Sequence, residues 1–213
     1  MITPLPTSTT GVSLSAPTPP RDAPPRDAPP RDTPPGDAAP GLTLRLLTEH
    51  DLPAYKQLRD TMLARHEAAF TSDAATELLR EAASYRHRLH PQAGGHALFT
   101  LGGWIGDELV GALTCEHEAR LKVRHVAHLV GMMVLDAHQG RGIGRELLGQ
   151  ALALLRREPV LEVVTLSVSA GNAPAMALYR SFGFSRYGHL PRAIRLSDGR
   201  YVAKDLMSLE LRG

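Results

Sequence analysis

One cysteine, Cys115, in 213 residues leaves nothing to pair in an intrachain disulfide and no thiolate set for a cysteine-built zinc site; a lone thiol fits a reducing compartment. No apolar run approaches the roughly 20 residues that a membrane-spanning helix needs. The opening MITPLPTSTTGVSLSAPTPP has neither the basic start nor the apolar centre of a secretory leader. A cytoplasmic protein with no membrane partner is the expectation. Charge of one sign is also lacking: 24 Lys and Arg stand against 22 Asp and Glu, a net of +2. The basic residues are scattered among acids, which argues against a nucleic acid partner. There is no H-E-x-x-H, and His125 and His128, three apart on a strand, fall on opposite faces. No metal is expected.

Proline is concentrated at one end. Residues 18–37 read TPPRD, APPRD, APPRD, TPPGD, a five-residue unit in four copies. Such a segment buries little apolar surface and lacks backbone donors, so residues 1–41 are expected as a disordered tail with polyproline II character. It would serve as a ligand for a proline-binding domain or as a solvated extension. Residues 42–213 are long enough for one domain with a sizeable core.

In that domain LTLRLL (42–47) alternates as a strand, and TEHDLPAYKQLRDTMLARH (48–66) opens with capping residues and an early proline before helical spacing. A second helical stretch is expected from about Thr76 to His90. HALFTLGGWIGDELVGALTCEHE (96–118) reads as a hairpin turning at Gly106-Asp107, and HVAHLVGMMVL (125–135) as a further strand. From Ile143, Leu147, Leu148, Ala151, Leu154 and Leu155 share one helical face until Pro159. A buried strand (160–170), a short helix near Asn172 and two more strands turning at Asp198-Gly199 complete the order β-α-α-β-β-β-α-β-α-β-β. That order means α/β with a mixed sheet.

The loop DAHQGRG (136–142) joins the strand ending near Leu135 to the helix beginning near Gly142. The first amides of a helix have no internal partners and carry the positive end of its dipole, so a turn stripped of side chains admits an anion to its N–H groups. The loop lacks the G-K-[ST] of a triphosphate site, and Leu147 stands where a dinucleotide fingerprint wants its last glycine. A purely structural turn is the alternative.

Gln139-Gly140-Arg141-Gly142-Ile143-Gly144 resembles the Q/R-x-x-G-x-G/A pyrophosphate loop of the GCN5-related N-acetyltransferases, the GNAT family. VSAGNAPAMALYRSFGF (168–184) resembles the family's second signature, N-x-x-A-x-x-L-Y-x-x-x-G-F, and the likeness extends over about residues 42–211. The resemblance implies a mostly antiparallel twisted sheet flanked by helices, with a splayed parallel strand pair that binds CoA. It implies that Met132, Met133 and Val134 bond pantetheine amides through their backbone. The amides of Gln139, Gly140, Arg141, Gly142, Ile143 and Gly144 would take the diphosphate. Arg141 and Arg145 would add charge-assisted bonds or else be solvated. Asn172 would contact the cofactor as well as cap its helix, and Tyr179 would aim its hydroxyl at the CoA sulfur as general acid, unless it is simply core. Gly131 is expected as a bulge.

The reaction so implied moves an acetyl group from acetyl-CoA, a co-substrate, to a primary amine by direct attack in a ternary complex. Where some relatives carry a basic glutamate, eleven residues before the Q/R position, this chain has His128. It would act as base, directly or through water, or face solvent; Glu116 and Glu118 compete for the role. Residues 67–89 and 187–202 are expected to wall the pocket of the acceptor, a small molecule or a peptide. A monomer or a homodimer is expected. A CoA-binding sensor without turnover, or an interaction protein working through its tail, are the rival classes.

Overall fold

A computed structural model of the chain describes residues 39–89, 97–117 and 120–212. Most of the proline-rich segment and Glu118 lie outside them. The chain enters the fold at Ala39, which is buried, and turns at Gly41 (φ +77°).

Seven strands form one sheet: β1 Leu42–Leu46, β2 Ala97–Ile105, β3 Glu108–His117, β4 Val126–Val134, β5 Val163–Ser169, β6 Ser185–Arg195 and β7 Tyr201–Glu210. Their spatial order is β1-β2-β3-β4-β5-β7-β6, antiparallel throughout except for the parallel pair β4–β5. Helices α1 Leu52–Arg65, α2 Ala74–Leu78, α3 Ile143–Leu155 and α4 Ala173–Ser181 flank it. Among the described residues no helix is long and apolar enough to cross a membrane.

Two cores form, one on each face. On one, Ile143, Leu147, Leu148, Ala151, Leu152 and Leu155 of α3 pack on Val110, Leu113, Cys115, Ala127, Leu129, Val164 and Leu166. The 3.6-residue period puts those α3 positions on one stripe, and each fully buried leucine contributes about 1.5–3 kcal/mol. On the other face, Leu52, Tyr55, Leu58 and Met62 of α1 meet Trp104, Leu109, Ala112 and Met133. The start of α1 is locked by Asp51, whose carboxylate takes two bonds from Arg45 (both 2.7 Å) and one from the Thr48 amide (2.8 Å).

The helix expected over about 76–90 is interrupted. α2 stops at Leu78 and a 3-10 helix follows from Ala82 to Arg88. The cause is tertiary. Buried Glu77 accepts from Arg59 Nε (2.8 Å) and from the Tyr85 hydroxyl (2.5 Å). In an unbroken helix, residues eight apart are separated by about 12 Å of rise. The chain must fold back for Tyr85 to reach Glu77. Burial pushes the Glu77 carboxyl up, but the bonds from Tyr85 and Arg59 outweigh it and hold it down to about 2.

Candidate active site

β4 and β5 pair only from Val126–Val163 to Leu129–Leu166; β4 continues to Val134 and β5 to Ser169. A cleft of about 820 Å³ opens where they part. At the same point β4 is bulged. Thr114 faces Val130 and Ala112 faces Met133, so Gly131 and Met132 stand against Leu113 alone, with Gly131 at φ +59°. A bulge drops a residue out of the ladder, and the β5 side of β4 is unpaired beyond Leu129. This stretch therefore presents main-chain donors and acceptors to the cleft.

The cleft runs into the α3 N-terminus. The Gln139 amide is used within the preceding turn, on the Asp136 carbonyl (3.2 Å), and the first α3 bond is Glu146 N–H to the Gly142 carbonyl (3.1 Å). Between them, the amides of Gly140 to Arg145 meet no acceptor among the described residues. Two of the three glycines are needed for conformation, Gly140 (φ +75°) and Gly142 (φ +79°). Gly144 is closely approached: a Cβ there would sit 3.1 Å from Met132 Cε, tight contact that the methionine end would have to relieve. Six open amides at a helix N-terminus suit an anion of diphosphate size. Arg145, which stacks on Phe182 at 5.4 Å, lines the same wall.

The opposite wall is α4. Asn172 caps it by accepting from the Ala175 amide (3.1 Å), and Pro174 sits in the first turn. In its last turn, Tyr179 is buried against Phe184 (centroids 5.8 Å apart, 64° between planes), and its hydroxyl donates to Met132 Sδ at 3.3 Å. Burial raises its pKa to about 12. The phenol is thus a proton donor at neutral pH.

The far end of the cleft lies over the α1 face of the sheet, whose β5 half is polar. Glu116, His128 and Thr165 stand in register across β3, β4 and β5, with His128 Nδ1 2.6 Å from Thr165 Oγ1. Ser167, Ser169 and Lys204 continue that floor. Burial lowers the Lys204 pKa. Met62 of α1 and residues 69–72 form the rim, held in place by Ser169 Oγ donating to the Ala68 carbonyl (2.5 Å).

A family model described as Acetyltransferase (GNAT) family matches residues 57–184. The chain belongs to that family. The N-alpha-acetyltransferase RimI of Mycobacterium tuberculosis is 38% identical over 119 residues, 55% of this chain and 65% of that protein. The L-amino acid N-acetyltransferase AaaT of Escherichia coli is 29% identical over 98 residues, 46% of this chain and 59% of AaaT. The chain thus spans less than two thirds of either. Among solved structures, yncA of Salmonella typhimurium, a putative acetyltransferase determined with its cofactor acetyl-CoA, superposes with a TM-score of 0.66 at 23% identity, over 81% of this chain and 95% of that one.

In this GNAT domain the residues expected from sequence converge unevenly. Met132, Met133, Val134, Gln139, Gly140, Gly142, Ile143, Gly144, Arg145, Asn172 and Tyr179 all line the cleft. Arg141 does not: its guanidinium turns to His138 (3.2 Å). Gln139 lines it, but its side chain is spent on the Val134 carbonyl (3.1 Å) and Asp136 (3.0 Å). His128 is not among the lining residues, whereas Glu116 is. Of the two segments expected to wall the acceptor pocket, 67–89 supplies its rim. The 187–202 hairpin instead braces that rim, through the Ser197 amide on Glu67 (2.6 Å). Arg88, Ser167 and Lys204, dispersed in sequence and in no motif, had no local signal; only the sheet register could have grouped the last two. Cys115 is fully buried and its thiol is pushed up by burial, so it supplies no nucleophile. Among the described residues no three His, Cys, Asp or Glu side chains gather as a metal site.

Proposed function

We propose that residues 42–213 form an acetyl-CoA-dependent N-acetyltransferase acting on an α-amino group. The observation that carries this reading is the continuity of unpaired backbone: the freed edge of β4 runs directly into six open amides at the α3 N-terminus. The family and the likeness to a protein solved with acetyl-CoA support it. When bound, acetyl-CoA supplies an acetyl thioester. The β4 edge around Met132 to Val134 bonds the pantetheine amides, the Gly140–Arg145 amides and Arg145 hold the diphosphate, and the bulge at Gly131 offers an amide to the thioester carbonyl oxygen. The acceptor nitrogen bonds to the carbonyl carbon as the C–S bond breaks. Tyr179 gives its proton to the departing sulfur and regains one from solvent; Glu116 takes the proton lost by the amine, with His128 and Thr165 fixing its neighbourhood.

The cost of deprotonating the amine favours an α-amino acceptor. A lysine amine, with pKa about 10.4, costs roughly 4.6 kcal/mol to deprotonate at pH 7, and an α-amino group near 8 only about 1.4 kcal/mol. The names of the relatives, an N-alpha-acetyltransferase and an L-amino acid N-acetyltransferase, point the same way. The test is calorimetric titration of acetyl-CoA followed by thiol release with a panel of α-amino and lysine-like amines. Acetyl-CoA binding with transfer to α-amines supports the reading. No binding, or binding with no transfer, overturns it.

A further inference from the structure

We propose that the acceptor is a free α-amino acid, whose carboxylate is held by Arg88 and the Tyr55 hydroxyl while Glu116 receives its amino group. This rests on the transferase reading above. Tyr55 is only 1% exposed, yet its hydroxyl has no hydrogen-bond partner among the described residues; the Nε of Arg88 is likewise buried and has none among them. Buried donors without acceptors are rare in native folds and call for an explanation. Both side chains reach the same place, since a Cβ built on Gly131 would lie 3.8 Å from Arg88 Nη1 and 4.0 Å from the Tyr55 oxygen. That place is the bulge where the β4 pairing with β5 has already ended.

The main chain at Arg88 and the ring of Tyr55 are both anchored in the fold. Arg88 ends the 3-10 helix, and its carbonyl accepts from Thr100 Oγ1 (2.6 Å), which also contacts Thr114 Oγ1 (2.8 Å) in the sheet. Tyr55 packs edge-on against Tyr85 with centroids 5.7 Å apart. Arg88 Nη1 and Glu116 Oε1 are 3.8 Å apart, too far for a hydrogen bond, with side chains 20% and 29% exposed. An acid and a guanidinium side by side at that spacing complement a molecule whose ammonium and carboxylate are separated by one carbon. A peptide N-terminus has a neutral carbonyl where the carboxylate would be, and would make no charge-assisted bond with Arg88 through it. Lys204 lines the same cleft, with Ser167 Oγ 3.5 Å from its Nζ. Met62 and Phe70 on the rim give an apolar side chain somewhere to lie.

The test compares acetyl transfer to the twenty common L-amino acids, their carboxamides and the dipeptides they begin. Charge-assisted bonds to the carboxylate should give the best free acid a kcat/KM about tenfold or more above its carboxamide. Arg88→Met should collapse that ratio toward one by raising KM for the acid, Arg88→Lys should restore part of it, and Tyr55→Phe should shrink it without altering the core packing. Acetyl-CoA binding checks that each variant is folded. Carboxamides or dipeptides acetylated as well as free acids would overturn the subsite while leaving the transferase reading intact. So would an Arg88→Met loss falling on kcat equally for both acceptors, which would put Arg88 on the thioester instead. If acetyl-CoA binds and no amine is acetylated, the transferase reading fails, and calorimetry of L-leucine against leucinamide on the CoA complex decides the subsite. Tighter leucine binding that Arg88→Met abolishes upholds it; equal or absent binding overturns it.

Discussion

Replacing Tyr179 with phenylalanine separates its chemical role from its packing. The ring is what α4 buries against Phe184, and phenylalanine keeps it. Among the described residues the hydroxyl has one partner, the thioether of Met132 at 3.3 Å, and sulfur is a weak acceptor. Loss of that bond should cost below about 1 kcal/mol, a fall in melting temperature of at most about 4 °C. The chemical cost is set by the leaving group. A thiol with pKa about 8.5 departs as a thiolate about 1.5 units above neutral, so its protonation is worth roughly 2 kcal/mol, or about 30-fold in rate. The variant should therefore lose about 30-fold in kcat and bind acetyl-CoA as before, measured by thiol release and calorimetry. Because burial holds the phenol near 12, the parent should show no alkaline decline owed to Tyr179 below about pH 10. An unchanged kcat would refute the proposed role. So would a matching loss of acetyl-CoA affinity, or a decline between pH 7 and 10 that the variant lacks.

Gly142→Val puts an L side chain at φ +79°, a strain of about 1–2 kcal/mol, and a Cβ among the open amides. It should weaken acetyl-CoA binding about tenfold or more while sparing acetyl-pantetheine, which has no diphosphate; equal loss with both donors would count against the loop. Asp51, held down to about 2 by Arg45 and then Thr48, and Glu77, also about 2, have carboxyls below their ordinary 3.8 and 4.5. Their stabilisation is complete above the ordinary values and lost as pH falls toward 2, so the urea midpoint should drop over that window, and Glu77→Gln should flatten the drop. Cys115→Ala should retain acetyl transfer, and N-ethylmaleimide should label the native thiol only on unfolding; fast native labelling with inactivation would contradict its burial.

The elements that sequence anticipated are those whose cause is local. The α3 stripe from Ile143 to Leu155 follows from side-chain spacing, the bare turn before it from glycines without a Cβ, and the caps at Thr48 and Asn172 from short polar side chains. The bulge at Gly131 was legible because glycine inside an apolar strand has little other use. The helix expected over about 76–90 failed for the opposite reason: the Arg59–Glu77–Tyr85 cluster joins residues far apart in sequence, and its bonds outweigh helical propensity.

By itself, the sequence determined the order of elements, the anion-ready start of α3 and the family, because each rests on neighbouring residues obeying short-range sterics and hydrogen bonding. Only the tertiary structure decided which groups meet in the cleft. It set Glu116 on the wall and left His128, its partner in register, off the lining; it turned Arg141 away, and it brought Arg88 and the buried Tyr55 to Gly131. The physical reason is that these groups come from separate strands, helices and loops, and only the assembled sheet, with the bulge and the point where β4 leaves β5, fixes which of them share a site.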